Sequence, residues 1–253
     1  MVSKNQLKEV RQLAQKKHRV AQGLFVAEGP KVVGDLMAVM PPRQVFALAE
    51  WQSPTPCPHL TTVSPDELQR LSFLQHPQQV VGIFPLPDPA PVTQEQIGDI
   101  VRRELVMALD GVQDPGNLGT IIRLCDWFGI TWIVCSRDTA DAYNPKVVQA
   151  TMGSIARVKV VYTDLPALCR QLSGKCPVYG TLLDGDNLYH TPLEGHGLVV
   201  MGNEGNGLSD AVRHCVTHRL RIPSYPPDRP TAESLNVAMA TGIICAEFRR
   251  RFP

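Results

Sequence analysis

Three polar clusters in the second half of the chain combine residue types that could bind or position a ligand. Arg123 and Asn117 lie in LDGVQDPGNLGTIIRL, Glu204 lies in GNEGNG, and Ser234 and Asn236 lie in SLNVAMA. A planar guanidinium suits phosphate or carboxylate, and glycines around a lone carboxylate permit close approach of a ligand. Each cluster also has an ordinary interpretation, which is a solvated helix arginine, a tight turn, or a polar helix N-terminus.

Strand, turn and helix signals surround each cluster. Asn117 is a good N-cap, so we expect a helix over 118–128 that contains Arg123 beside apolar neighbours. An apolar strand over 197–201 precedes the glycine loop at 202–207, and a helix over 233–250 contains Ser234 and Asn236 in its first turn. The clusters therefore lie where strands end and helices begin.

The chain alternates between strands and helices from residue 104 onward. The pattern predicts strands at 104–109, 131–135, 157–162, 177–182, 197–201 and 218–222, and helices at 117–128, 145–152, 164–173, 209–214 and 233–250. Such alternation predicts an α/β fold with a mainly parallel sheet and helices on both faces. Ligands of these sheets bind beyond the carboxyl ends of the strands.

A smaller α/β domain precedes this region. We expect a basic helix at about 4–16, strands at 24–27, 44–48 and 79–84, a helix from Pro30, and a short helix opened by the capping box of Ser64 and Glu67. Prolines at 85, 87, 89 and 91 favour a stiff connector. The predicted organisation is a domain at 1–84, a linker at 85–99 and a second domain at 100–253.

Charge is distributed unevenly along the chain, although the net charge is only +1 over 253 residues. Residues 1–31 contain seven basic and two acidic residues, a local net charge of +5, and the chain ends with Arg249, Arg250 and Arg251. Both clusters could attract nucleic-acid phosphates, or they could be solvated helix faces.

The remaining composition predicts an ordinary cytosolic protein. The seven cysteines show no pairing or histidine spacing typical of zinc, so we expect reduced core thiols and no metal. No apolar run is long enough for a membrane span or a signal peptide, although the basic N-terminus leaves a transit peptide as an alternative.

The three motifs, taken in order, resemble those of the SpoU (TrmH-like) RNA 2′-O-ribose methyltransferases of the SPOUT class. DAYNPKVVQATMGSIARVKV, VYGTLLDG and the N-terminal FVAEGPKVVGDL are also similar to segments of the family. One departure is the longer, proline-rich stretch SYPPDRPTAE between Ile222-Pro223 and Ser234. This stretch lengthens the connection that leads into the third motif.

The resemblance implies a deep trefoil knot and S-adenosylmethionine as cofactor. The positions that it assigns to the cofactor are Thr181, Leu182, Gly202, Asn203, Glu204, Gly205, Ile222, Pro223, Ser234, Leu235 and Asn236. It assigns catalysis to Arg123, Asn117, Glu204, Ser234 and Asn236, with Arg123 acting on the ribose hydroxyl and Glu204 as an orienting acceptor for Arg123 or for ligand.

The resemblance further implies a homodimer and an RNA substrate, with the N-terminal domain supplying RNA affinity. Val237, Ala240, Ile244 and Phe248 on the last helix could serve the dimer contact or belong to the core. Ribosomal RNA is favoured, and transfer RNA or a catalytically silent RNA-binding protein are the alternatives. A nicotinamide-dependent oxidoreductase is disfavoured because GVQDPGNLG has no GxGxxG pattern.

Overall fold

The structure, a computed structural model, describes residues 2–87, 92–226 and 232–252. The helices are α1 (Lys4–Gln12), α2 (Lys16–Gln22), α3 (Pro30–Met37), α4 (Pro65–Leu71), α5 (Gln94–Val101), α6 (Pro115–Trp127), α7 (Pro145–Ala150), α8 (Leu165–Leu172), α9 (Asp210–Arg213) and α10 (Val237–Arg251). The strands are β1 (Leu24–Glu28), β2 (Gln44–Ala47), β3 (Leu60–Thr62), β4 (Val80–Pro85), β5 (Leu105–Asp110), β6 (Trp132–Cys135), β7 (Lys159–Tyr162), β8 (Val178–Asn187), β9 (Gly197–Gly202) and β10 (His218–Arg221).

The chain divides into two units. Unit 1 comprises Met1–Ala90 and Asp141–Ala156, and unit 2 comprises Pro91–Ala140 and Arg157–Pro253. Unit 2 contains a six-stranded sheet in the order β10-β8-β9-β5-β6-β7, and every neighbouring pair is parallel. The predicted α/β fold with a parallel sheet is therefore confirmed.

The central strands of this sheet are apolar on both sides because helices cover both faces. Val106 and Val200 belong to one buried cluster with residues of α5, α8 and α9. On the other face, α6 and α10 pack against each other and contact β6 and β9. Continuous apolar runs are expected for strands that are buried on both faces.

Two elements of unit 2 differ from prediction by more than two residues. β8 continues to Asn187 because residues 181–185 bulge between the β10 pairs made by Gly180 and Asp186. α10 begins at Val237 with Asn236 as its N-cap, so Ser234 precedes the helix and does not lie in its first turn. Residues 227–231 of the longer stretch before motif three lie outside the described residues.

Unit 1 contains a four-stranded sheet in the order β1-β4-β2-β3, in which β4 is antiparallel to β1 and β2. The predicted basic helix is wrong as a single element, since α1 ends at Gln12 and α2 starts at Lys16. Buried Arg19 donates to the carbonyls of Leu13 and Ala14 at this break and thereby satisfies backbone acceptors.

The segment Asp141–Ala156 groups with unit 1, whereas the sequence prediction placed it in a domain over 100–253. Arg19 forms an ion pair with Asp141, and the ring of Phe25 lies 4.9 Å from that of Tyr143. These contacts bring the segment onto β1. The predicted linker also differs, because α5 starts at Gln94 within 85–99, while Pro89 and Pro91 lie outside the described residues.

All seven cysteines are free, and five of them are buried. Burial raises the pKa of the Cys169 and Cys245 thiols to about 12, so both are neutral core groups. None of the described helices is long and apolar enough to cross a membrane.

Candidate active site

The candidate site lies at the carboxyl ends of β5 and β9, which are neighbours in the sheet. Asp110 at the end of β5 is opposite Gly202 at the end of β9. After β5 the chain continues toward β6 on one side of the sheet, and after β9 it continues toward β10 on the other side. This divergence makes the gap between the two strand ends a topological switch point, where ligands of parallel α/β sheets bind.

The turn after β5 leads directly into α6. Asp114, not Asn117, is the N-cap, and its carboxylate accepts from the backbone N–H of Asn117 at 2.8 Å. The prediction of Asn117 as the cap is therefore wrong. Because Asp114 fills that role, the side chain of Asn117 is available for contacts with other segments.

The glycine loop after β9 is closed by two backbone hydrogen bonds between Asn203 and Gly207, each 2.9 Å long. A Cβ on Gly202 would lie 2.4 Å from the carbonyl carbon of Gly207, so no larger residue fits there without displacing the loop. Gly207 has φ of +68°, which glycine adopts without strain. The loop therefore has a defined shape that depends on glycine.

The side chain of Asn203 attaches this loop to the turn after β5. Its Nδ2 donates to the carbonyl of Gly111 at 2.7 Å, and its Oδ1 accepts from the N–H groups of Gly205 and Asn206. The amide oxygen thus stabilises the loop itself, and the amide nitrogen binds the turn after β5. Asn203 can contribute its backbone to a ligand, while its side chain maintains the loop.

Asn117, Glu204 and Asn236 form one hydrogen-bonded chain. The Nδ2 of Asn117 donates to Glu204 Oε1 at 2.8 Å, and the Nδ2 of Asn236 donates to Asn117 Oδ1 at 3.0 Å. Asn236 Oδ1 accepts from the N–H groups of Ala238 and Met239 and so caps α10. One polar residue from each of the three motifs is therefore brought to the same place.

Glu204 is exposed, and within the described residues its Oε1 accepts from Asn117 and not from Arg123. Its Oε2 has no partner in that part of the chain. The carboxylate therefore orients Asn117 with one oxygen and leaves the other for a ligand.

Arg123 lies outside this hydrogen-bonded chain. It is exposed on the face of α6 that also carries Trp127, about 120° around the helix from Asn117. Within the described residues the guanidinium has no hydrogen-bond or ion-pair partner, so all five of its donors are free for an external group.

The other predicted cofactor residues lie within β8, follow β10 or precede α10. Thr181 donates its hydroxyl to the Val200 carbonyl at 3.0 Å, and Leu182 is part of the buried core, so these two can offer mainly backbone groups to a ligand. Ile222 and Pro223 are half-buried directly after β10. Ser234 and Leu235 are exposed before α10.

Sequence reasoning missed a buried polar network that supports the turn after β5. The hydroxyl of Ser136, at the end of β6, accepts from the N–H of Gly111 and donates to Asp138. Thr139 donates to the carbonyl of Leu109, and Asp110 accepts from the N–H of Ser209. The available signal was a run of hydroxyl and acidic residues immediately after a strand of the same sheet.

The C-terminal arginines make contacts within the protein. Arg249 donates to the carbonyls of Phe128 and Gly129 at the end of α6, and Arg251 donates to backbone carbonyls after β8. Arg250 and Arg251 both bind Glu247, whose pKa falls to about 2 mainly through the Arg250 hydrogen bond. These contacts stabilise unit 2 and occupy donors of all three arginines.

The donor types at the site favour an organic ligand. The structure shows no group of three or more histidine, cysteine or acidic side chains suited to a metal in residues 2–87, 92–226 and 232–252. Backbone groups of a glycine loop, half-buried apolar residues and one exposed carboxylate suit a nucleoside with an amino-acid moiety.

Two protein families match separate parts of the chain. The SpoU rRNA Methylase family matches residues 104–246, and the MRM3-like substrate binding domain matches residues 4–82. The first match contains the residues at the switch point, and the second covers most of the N-terminal part of unit 1.

Relatives align with almost the whole chain. The 23S rRNA (guanosine(2553)-2′-O)-methyltransferase RlmP of Bacillus subtilis is 30% identical, covering 98% of this chain and 97% of its own. A TrmH-family structure from Porphyromonas gingivalis has a TM-score of 0.86 and 37% identity, covering 99% of each chain. An AdoMet-bound rRNA methyltransferase from Sinorhizobium meliloti has a TM-score of 0.82 and 30% identity, covering 100% of this chain and 98% of its own.

Proposed function

This chain belongs to the SpoU rRNA Methylase family, and from that premise we propose that it transfers a methyl group from S-adenosylmethionine to a ribose 2′-hydroxyl of ribosomal RNA. The observation that carries this function is the hydrogen-bonded chain of Asn117, Glu204 and Asn236 at the switch point. It joins all three motifs at the place where the fold binds ligands.

S-adenosylmethionine supplies an electrophilic methyl group on its sulfonium. The residues that would hold it are the glycine loop from Gly202 to Gly205, the backbone of Thr181 and Leu182, and the half-buried Ile222 and Pro223. Gly205 is exposed and has no Cβ, so a ring can lie against the backbone there. Ser234 and Leu235 complete this set before α10.

Arg123 orients the 2′-hydroxyl and stabilises the negative charge that develops on its oxygen. A guanidinium is a poor base because it stays protonated, so it accepts the hydroxyl proton only where one of its own protons has first passed to an RNA phosphate. The exposed position supports this role, since the free donors face outward. Asn117, held by Glu204 and Asn236, positions the nucleotide beside it.

Several properties of the relatives support ribosomal RNA over transfer RNA. RlmP is named for 23S rRNA, and the match over 4–82 is to a substrate-binding domain. All five polar residues of the proposed catalytic set are present, which disfavours a silent RNA-binding protein. The cytoplasm is the proposed location, and the free thiols suit its reducing conditions.

We assign the homodimer contact to the exposed face shared by α6 and α10. Trp127 is 84% exposed and Met239 is 65% exposed, and the two helices pack against each other. Val237, Ile244 and Phe248 are buried in the core of unit 2 and Ala240 is half-buried, which favours the core alternative for these residues and leaves their exposed neighbours for the proposed contact. Trp127→Glu should convert a dimer to a monomer in sedimentation velocity, and a wild-type monomer would refute the assignment.

The proposed fold includes the trefoil knot of the class. Two observations support this proposal. β10 lies at one edge of the sheet, whereas the next helix, α10, packs on α6. The N-cap of α10, Asn236, also contacts Asn117. An experimental backbone trace through residues 222–236 would test whether this connection passes through a loop of the preceding chain.

The function is tested by transfer of labelled methyl from S-adenosylmethionine to separate pools of unmodified ribosomal and transfer RNA, followed by nucleoside analysis. A 2′-O-methylated nucleoside from ribosomal RNA is expected. Arg123→Ala and Arg123→Lys should both abolish transfer while cofactor affinity stays near that of the wild type. Arg170→Ala removes an exposed arginine from α8 and serves as the matched control. Normal turnover by Arg123→Ala would remove that residue from catalysis.

A further inference from the structure

Unit 1 has a groove at the end of its sheet where β1 and β2 begin and β4 ends. Two adjoining pockets of about 620 Å³ and about 490 Å³ form it, and both are lined by Leu24, Arg43 and His59. The first pocket lies toward the end of α3 and the second toward α1. The candidate active site uses none of these residues.

The first pocket is mostly apolar and rich in proline. Its lining includes five prolines, namely Pro41, Pro42, Pro56, Pro58 and Pro85. Proline rings have fixed φ angles, so a wall built from them loses little conformational entropy when a ligand binds. Met40 adds an adaptable apolar side chain. Such a pocket suits one planar ring, such as a nucleobase that is not stacked on its neighbours.

The second pocket carries groups that can form directional hydrogen bonds. Gln6 and Glu9 reach it from α1, and Gln22 reaches it from α2. Gln44 stabilises its wall by donating to the His59 carbonyl and the Thr61 hydroxyl. Amide and carboxylate side chains pair with the exposed edges of unstacked nucleobases.

Two cationic or ionisable side chains lie where the pockets meet. Arg43 and His59 are exposed, and neither side chain has a hydrogen-bond or ion-pair partner within the described part of the chain. An arginine fork binds phosphate with two donors. The spatial order is therefore an apolar compartment, an anion-binding position, and a polar compartment.

We propose that this groove binds a single-stranded stretch of RNA. One unstacked base occupies the proline-walled pocket, Arg43 and His59 hold the adjoining phosphate, and the next base presents its edge to Gln6 and Glu9. An apolar peptide would leave the two side chains at the junction without an anion. This inference rests on the proposed function for its ligand class, and it assigns RNA capture to a surface of unit 1.

The test measures the affinity of the full-length protein for fluorescein-labelled ten-nucleotide oligouridine and oligoadenosine. Arg43→Glu should weaken binding about tenfold or more and lower the salt dependence by about one phosphate contact. Thr55→Trp fills the first pocket without a charge change and should weaken binding similarly. Arg70→Glu makes the same charge change on α4, outside both pockets, and should stay within about threefold of the wild type.

Unchanged oligonucleotide binding by both Arg43→Glu and Thr55→Trp would refute the proposed RNA groove. An equal loss of oligonucleotide affinity in Arg70→Glu would also refute it. The RNA proposal would also be refuted if Arg43→Glu and Thr55→Trp weakened binding of an acidic, apolar peptide but left oligonucleotide binding unchanged. Methyl transfer to ribosomal RNA by the wild type is measured in parallel. Absent transfer with groove-dependent oligonucleotide binding would refute the proposed function alone, and normal transfer with groove-independent binding would refute the groove alone.

Discussion

Asn236 performs two roles that two substitutions can separate. Its Oδ1 caps α10 through the N–H groups of Ala238 and Met239, and its Nδ2 donates to Asn117. Asn236→Ala removes both contacts. Asn236→Asp keeps the acceptor at a helix N-terminus, where a negative charge is favourable, but it loses the donor.

The expected magnitudes follow from these contacts. Loss of an N-cap costs about 1 kcal/mol, and loss of the exposed hydrogen bond to Asn117 adds about 0.5–1 kcal/mol. Asn236→Ala should therefore lower the unfolding free energy by about 2 kcal/mol and Tm by roughly 4–8 °C. Asn236→Asp should stay within about 1 kcal/mol of the wild type, because the cap remains.

Activity should separate the two variants from a simple stability effect. Both should reduce kcat for methyl transfer by about tenfold to a hundredfold, since Asn117 loses the group that holds it and positioning errors are costly. Thermal unfolding and single-turnover methyl transfer measure the two effects. Asp164→Ala, which removes the N-cap of α8, is the control for cap loss away from the site. Wild-type turnover by Asn236→Asp would refute the positioning role, and unchanged stability of Asn236→Ala would refute the capping role.

Three further changes test other contacts. Gly202→Ala should abolish cofactor binding in calorimetry, because the added Cβ meets backbone at 2.4 Å, whereas Gly98→Ala, with its nearest atom at 3.6 Å, should bind normally; equal affinities would disprove the packing argument. Glu247, paired with two arginines, should stabilise the protein by on the order of 2 kcal/mol above about pH 4.5. Because its pKa is lowered in the folded protein, this contribution should be lost as the pH falls toward 2. Glu247→Gln should abolish that pH dependence of the unfolding free energy in chemical unfolding. Asp141→Ala should destabilise unit 1 by about 3 kcal/mol, since it leaves Arg19, 2% exposed, as an unpaired buried charge; an unchanged unfolding midpoint would contradict that cost.

Periodicity and turn chemistry predicted unit 2 well because its strands are buried runs and its helices begin at recognisable caps. The start of α6 was shifted because both Asp114 and Asn117 are good caps, and Pro115 at the first helical position decides for Asp114. β3 was missed because it has three residues and is largely exposed, so it carries no apolar pattern.

Tertiary contacts decided what the sequence could not. Residues Asp141–Ala156 look like part of the second domain by position, yet Arg19 and Phe25 hold them to unit 1. The sequence did not show that the terminal arginines bind Glu247 and the backbone carbonyls at the end of α6. The resemblance assigned Asn117, Glu204 and Asn236 to one site with Arg123, but it did not predict that Glu204 would accept from Asn117 and not from Arg123.

The hydrogen-bonded chain of the site also bears on how the protein becomes active during synthesis. Its two bonds join residues 87 and 119 positions apart, and its last member opens the final helix. Contacts so distant in sequence require closure of long loops, which is entropically slow, and the second bond cannot form before Asn236 has been synthesised. A nascent polypeptide therefore lacks the complete arrangement until the start of α10 has left the ribosome. Assembly of the proposed site is then coupled to translation of α10.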